Sequence, residues 1–289
     1  MKRKILISFI GIILLLIFFV LVICAYFLLV DIESNAPKEL SNNYIETRKY
    51  KERKVFIINP KEDIKTDLKI LYFHGGSYVA ETSEEHWNFL LDLSNKTGAT
   101  IILPDYPLTP KYNYKDVFQM VEPLYKEIVN NIGTKNLVMM GDSAGGGIAL
   151  ALSEKLGEED FSQPQELILL SPWIDVTMEN KEIEKVEKFD DELNKESLRL
   201  AGIAYAGKDG MESYLVNPIN GPLKKLKNVT IYTGTYDILN LDVHVLAKKA
   251  KNEGIEINLK EYEKAKHIWI IKDNDSQGRK DLIEQLKSI

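Results

Sequence analysis

The sequence predicts an α/β fold built on a mostly parallel central sheet. Short apolar runs rich in Ile, Leu and Val alternate with segments of helical period along most of the chain. Gly141-Asp142-Ser143-Ala144-Gly145 lies between one such run and a small-residue helix. With 289 residues, 45% of them hydrophobic and 28% charged, the chain can bury a sizeable core, which excludes disorder and fibrous repeats.

From the N-terminus, residues 1–4 carry Lys2, Arg3 and Lys4, and Ile5 to Val30 is a run of 26 uncharged residues. As a helix that run would reach about 39 Å, against roughly 30 Å of hydrocarbon, so a transmembrane signal anchor is expected. A cleaved signal peptide is the alternative; Tyr26-Phe27-Leu28-Leu29-Val30 offers no small-residue cleavage site. Basic residues before the run, with Asp31 and Glu33 after it, place the N-terminus in the cytoplasm and the large domain outside the cell membrane in a single-pass topology. Cys24, the only cysteine, sits inside the run, so no intramolecular disulfide and no cysteine zinc site is available. Net charge is -6, which speaks against a nucleic-acid partner.

Residues 31–54 read as a linker with a reduced cap, and residues 55–289 as the folded domain. Val55–Asn59 and Leu68–Phe73 read as strands, expected to pair as an antiparallel hairpin across the polar turn that begins at Pro60. Glu84–Lys96 has apolar residues at helical spacing with Gly98 to stop it. A strand at Thr100–Pro104, a helix at Lys115–Asn130, a strand at Asn136–Met140, a helix at Gly145–Leu156 and a strand at Leu167–Leu170 follow. Met178–Met211 is charged and lacks a core strand, which marks an inserted lid. Val229–Thr233, a helix at Leu241–Asn252, Ile255–Tyr262 and a final helix resume the pattern.

Chemistry concentrates at Gly141–Gly145, a G-x-S-x-G in the strand-turn-helix context of a nucleophile elbow, where Ser143 would be held with its hydroxyl exposed. A phosphate loop would need a lysine that is absent. In such an arrangement the acid and then the base follow the serine along the chain. Of His74, His86, His244 and His267, the last fits best, because it follows the strand Ile255–Tyr262 in a loop at the sheet's carboxyl edge. His244 and His86 read as half-buried or solvated helical residues, and His74 as a structural hydrogen-bonder. Asp237, directly after Val229–Thr233, is the preferred acid; Asp242 competes, but suits a helix N-terminus. Asp142 and Asp175 read as structural hydrogen-bonders. His74-Gly75-Gly76-Ser77-Tyr78 has the composition of a loop whose N–H groups stabilise an oxyanion, with Ala144 N–H as a further donor.

These pieces resemble the hormone-sensitive-lipase-like branch of the α/β-hydrolase superfamily, also called class IV bacterial esterases. The matching motifs are HGGSY at His74, DYPLTP at Asp105, GDSAGG at Gly141, SPWID at Ser171, NPI at Asn217, GTYDIL at Gly234 and HIW at His267, covering nearly everything after Val55. The resemblance implies an α/β-hydrolase fold, Ser143 as nucleophile, Asp237 as acid, His267 as base, and the N–H groups of Gly76, Ser77 and Ala144 as oxyanion donors. It implies a serine carboxylesterase that needs no metal or organic cofactor and takes a small acyl ester or a lipid-like substrate. Two positions depart from the family: Ser77 stands where a third glycine is usual, and Pro107 where an arginine is. Asp190–Tyr205 resembles the helices that wall the family's acyl pocket, so Leu198, Ile203 and Tyr205 are candidates for substrate contact or for simple packing. A cell-surface deacetylase or lipase would use the same triad. An inactive ligand-binding protein of this fold is the reading from another class.

Overall fold

A computed structural model describes residues 30–37 and 44–289. The expected anchor Ile5–Val30 therefore lies, but for Val30, outside the described residues. Among those described, no helix is long and apolar enough to cross a membrane.

Strands β1 (Ile45–Tyr50), β2 (Arg53–Ile58), β3 (Lys69–Phe73), β4 (Thr100–Pro104), β5 (Leu137–Asp142), β6 (Glu166–Leu170), β7 (Val229–Gly234) and β8 (Ile257–Tyr262) form one sheet in the order β1-β2-β4-β3-β5-β6-β7-β8. From β4 to β8 all neighbours are parallel. Along β5, Leu137 and Met139 enter one core, and Val138 and Met140 enter the other. Successive side chains on a strand point to opposite faces, so a strand covered on both sides reads as an unbroken apolar run. Helices α2 (Tyr114–Ile132), α3 (Ser143–Glu158) and α6 (Asn240–Asn252) cover the first face. Helices α1 (Glu84–Thr97), α7 (Trp269–Lys272) and α8 (Gln277–Lys287) cover the second.

The start of the sheet departs from the expected hairpin. β2 pairs not with β3 but with β1 and, antiparallel, with β4, while β3 sits between β4 and β5. Ile70, Leu71, Tyr72 and Phe73 are all buried, which suits a central strand covered on both faces. β1 falls inside the stretch expected as a linker; its Glu46, Thr47, Arg48 and Lys49 are exposed, the polar dress of an edge strand. The final helix is two, α7 and α8. Buried Arg279 joins them: Nη1 donates to the Ile270 and Ile271 carbonyls, both at 3.3 Å, and Nη2 to Asp92 Oδ2 of α1 at 2.7 Å.

Between β6 and β7 the insert carries α4 (Ile183–Val186) and α5 (Lys195–Ala206). The α5 residue Tyr205 is buried and lies flat on Tyr78, ring centroids 3.6 Å apart, and Tyr78 also stacks on Trp173 at 5.3 Å. The insert is thereby fixed to the loop after β3. Leu198 is buried as well, so both it and Tyr205 pack the insert down, whereas Ile203 is exposed.

Glu154, on α3, is a buried carboxyl whose oxygens have no hydrogen-bond partner among the described residues, and burial holds its pKa well above the ordinary carboxylate range. An acid that binds its proton more tightly when folded loses stability as pH rises from the unfolded pKa toward the folded one. Glu154→Gln is therefore expected to raise the melting temperature by about 2–4 °C at neutral pH. The gain should shrink as pH falls toward the ordinary carboxylate pKa, as calorimetry across pH will measure.

Candidate active site

Ser143 is the first residue of α3 and has φ +48°, a left-handed conformation that costs a non-glycine residue about 1–2 kcal/mol. Strong surroundings hold it there. β5 is paired on both sides, and Trp173 N–H donates to the Ser143 carbonyl at 2.8 Å. A side chain at Gly145 would overlap the Phe73 and His74 carbonyl oxygens, so only glycine lets α3 leave the sheet at this angle.

The structure brings Ser143 together with the acid and base preferred from the sequence. Ser143 Oγ lies 3.0 Å from His267 Nε2, and His267 Nδ1 lies 2.9 Å from Asp237 Oδ2. All three are buried. The carboxylate fixes the tautomer: Nδ1–H donates to Asp237, leaving Nε2 to accept the serine proton. Asp237 Oδ1 accepts from Leu239 N–H at 2.9 Å, which orients it in the turn after β7. Burial acts to lower the His267 pKa, but the charge and hydrogen bond of Asp237, with Asp190 and Asp142 adding, outweigh it and raise the group above its ordinary 6.5.

Behind β3, Gly76, Ser77 and Tyr78 have φ of +112°, +54° and +63°, which curls the loop so that Val79 and Ala80 N–H groups donate back to the Gly76 carbonyl. The N–H groups of Gly76 and Ser77 meet no protein acceptor among the described residues, and Ala144 N–H lies in the first turn of α3, where helices leave donors free. The left-handed φ of Ser77 accounts for the glycine usual there. Asp142 anchors the loop: Oδ1 accepts from Gly75 N–H at 2.9 Å and Tyr72 O–H at 2.7 Å, and Oδ2 from His86 Nε2 at 3.1 Å. Burial opposes this charge, but His86 and Tyr72 prevail and hold the Asp142 pKa below its ordinary value.

The other candidates fall elsewhere. His86 is buried, not half-exposed as expected, and His244 is exposed on α6, 2.6 Å from Glu261. Buried His74 donates from Nδ1 to the Gly75 carbonyl, and burial lowers its pKa to about 4. Asp242 takes Asn180 Nδ2 at 2.8 Å, with its pKa pushed up to about 6 by burial. Asp175 caps the Thr177 turn at 2.9 Å.

Asp190 went unread in the sequence. From the insert, its Oδ2 accepts Ile238 N–H at 3.0 Å, beside Asp237, and its Oδ1 accepts Glu192 and Leu193 N–H groups. Its neighbour Asp191 pairs with Lys266 at 2.7 Å, beside His267. One acidic run thus ties the insert to both the acid loop and the base loop; in sequence it looks like any solvated charge cluster.

Comparison with known proteins agrees with this architecture. Residues 70–271 match a family model described as alpha/beta hydrolase fold. An esterase of Acinetobacter venetianus is 30% identical over 196 residues, covering 67% of this chain and 64% of its own. A triacylglycerol lipase of Mycobacterium tuberculosis is 27% identical over 82% of this chain and 50% of its own, so the chain spans about half to two thirds of these relatives. Among solved structures, a Staphylococcus aureus protein assigned as an esterase superposes with a TM-score of 0.82 at 27% identity, covering 89% of this chain and 86% of that one.

Proposed function

Since the chain belongs to the α/β-hydrolase fold family, we propose that it is a serine carboxylic ester hydrolase working through an acyl-enzyme. The observation that carries this reading is the unbroken relay from Ser143 Oγ through His267 to Asp237, at 3.0 and 2.9 Å. Ser143 attacks the ester carbonyl while His267 Nε2 takes its proton, and Asp237 stabilises the imidazolium that forms. The oxygen turns negative as the tetrahedral intermediate forms, and the N–H groups of Gly76, Ser77 and Ala144 receive that charge. His267 returns the proton to the leaving alcohol, then activates the water that releases the acid. The esterase and lipase relatives support an ester or lipid substrate.

The test is hydrolysis of nitrophenyl esters of graded acyl length, with a fluorophosphonate label expected on Ser143. Because the base must be neutral and its pKa is raised, kcat/KM is expected to fall as pH drops, with a midpoint above 6.5. A kcat/KM that did not fall toward acid pH would contradict the assigned base. A deacetylase would instead be confined to the acetyl end of the nitrophenyl series and act on acetylated cell-surface groups.

Localisation is a second part of the proposal: Ile5–Val30 anchors the chain in the cell membrane, N-terminus inside and catalytic domain outside. Protease added to intact cells is expected to remove the domain.

A further inference from the structure

The anchor run ends at Val30, and the chain is already fastened at Asp31. Asp31 Oδ1 takes Arg53 Nη1 at 2.6 Å, and its Oδ2 takes Tyr112 O–H at 2.7 Å and Lys111 Nζ at 3.1 Å. The Ile32 carbonyl accepts Arg53 Nη2 at 3.3 Å. Ser34 is buried; its N–H donates to Asp105 Oδ1 at 2.9 Å, and its hydroxyl exchanges hydrogen bonds with Thr82 at 3.1 Å. Lys54 Nζ closes the set on the Ser34 carbonyl at 3.2 Å.

Every one of these partners lies at the carboxyl edge of the sheet. Asp105 directly follows β4, Arg53 opens the antiparallel β2 at that same end, and Thr82 lies between the Gly76 loop and α1. The path to the site is short. Arg53 Nη2 reaches the Tyr106 carbonyl at 3.4 Å, Tyr106 O–H donates to the His74 carbonyl at 2.6 Å, and Thr109 N–H donates to the Tyr78 carbonyl at 2.8 Å. Adjacent Cα atoms are 3.80 Å apart and the run exceeds the hydrocarbon by only about 9 Å, so an anchor ending at Val30 leaves a short tether between bilayer and catalytic edge. Exposed apolar side chains occur on the segments of this edge: Val79 on the Gly76 loop, Phe189, stacked on Tyr236, and Leu200 and Ile203 on the insert, with Leu200 62% exposed.

We propose that the mouth of the Ser143 site is held against the bilayer that the chain's own apolar run enters, and that its substrate is an acyl ester drawn from that bilayer. This rests on both the esterase and the anchor readings. The occupant of the apolar edge is the lipid surface itself, chosen because the apolar run ends one residue before the dock. Soluble esters can still diffuse in, but a lipid ester needs only to rise out of the membrane.

The experiment uses the full chain in phosphatidylcholine vesicles loaded with a diacylglycerol, beside a variant with a 20-residue Gly-Ser spacer between Val30 and Asp31. Such a spacer reaches roughly 25 Å on average, enough to free the domain from the surface. Diacylglycerol hydrolysis is expected to fall about tenfold in the spaced variant while nitrophenyl butyrate hydrolysis is unchanged, since only the effective concentration of embedded substrate alters. Equal diacylglycerol rates in the two proteins overturn the proposal, as does butyrate turnover with none of diacylglycerol. A chain that does not float with the vesicles overturns the anchor reading beneath it. A vesicle-bound chain that hydrolyses neither ester overturns the esterase reading.

Discussion

Ser143→Ala is expected to lower kcat on a soluble nitrophenyl ester by about 10⁵- to 10⁶-fold, with KM nearly unchanged. The replacement removes only the oxygen that attacks and its 3.0 Å hydrogen bond to His267. The left-handed φ of +48° burdens alanine as it does serine, and Trp173 N–H still finds the same carbonyl, so the melting temperature should move by only about 1–3 °C. Residual turnover would come from the oxyanion donors acting on bound ester. Steady-state kinetics on protein made free of wild type checks this. A variant retaining more than about 1% of activity would place the nucleophile elsewhere.

Asp142→Ala is expected to cost about 3–5 kcal/mol of stability, because it strands several buried partners of one carboxylate at once. Tyr72 O–H, Gly75 N–H and His86 Nε2 all lose their acceptor in a dry site, and an unpaired buried donor costs far more than a made bond gains. Activity should fall with it by about 10²-fold in the protein that remains folded, since Gly75 carries the loop that offers the Gly76 and Ser77 donors. Asp142→Asn separates the two effects. Its amide oxygen can serve Tyr72 and Gly75 as before, and the imidazole can change tautomer to accept from the amide nitrogen, giving up only the Ser83 N–H that its Nδ1 accepts at 3.3 Å. Much of the stability and most of kcat should return. Thermal melts and kcat on all three proteins decide it, and an alanine variant matching wild type in both would refute the anchoring role.

Much of this arrangement was legible because a doubly covered sheet writes itself as apolar runs, and because parallel strands send their following loops to one edge. Ser143, Asp237 and His267 each follow a strand at that edge, so chain order alone brought them into one neighbourhood. Pairing partners were another matter. The run at Val55 has no mark that says β4 rather than β3, since that choice depends on which strands already flank β3. β1 was hidden by its exposed charged face, and His86 by a helical position that reveals nothing of the carboxylate opposite. Asp190 reads as one charge among many in Asp190-Asp191-Glu192, and only its placement over Ile238 N–H sets it apart.

The insert lies between β6 and β7 without disturbing their parallel register, and it touches the loops of the catalytic machinery through the Asp190 run, the Phe189 ring on Tyr236 and the Tyr205 ring on Tyr78. Such a segment is a module. Natural drift or laboratory grafting can rewrite its outward half while the sheet keeps its register. What a graft must keep is the Asp190 carboxylate with the Phe189 and Tyr205 rings, so residues 178–211 divide into a few that brace the triad's loops and a remainder free to vary.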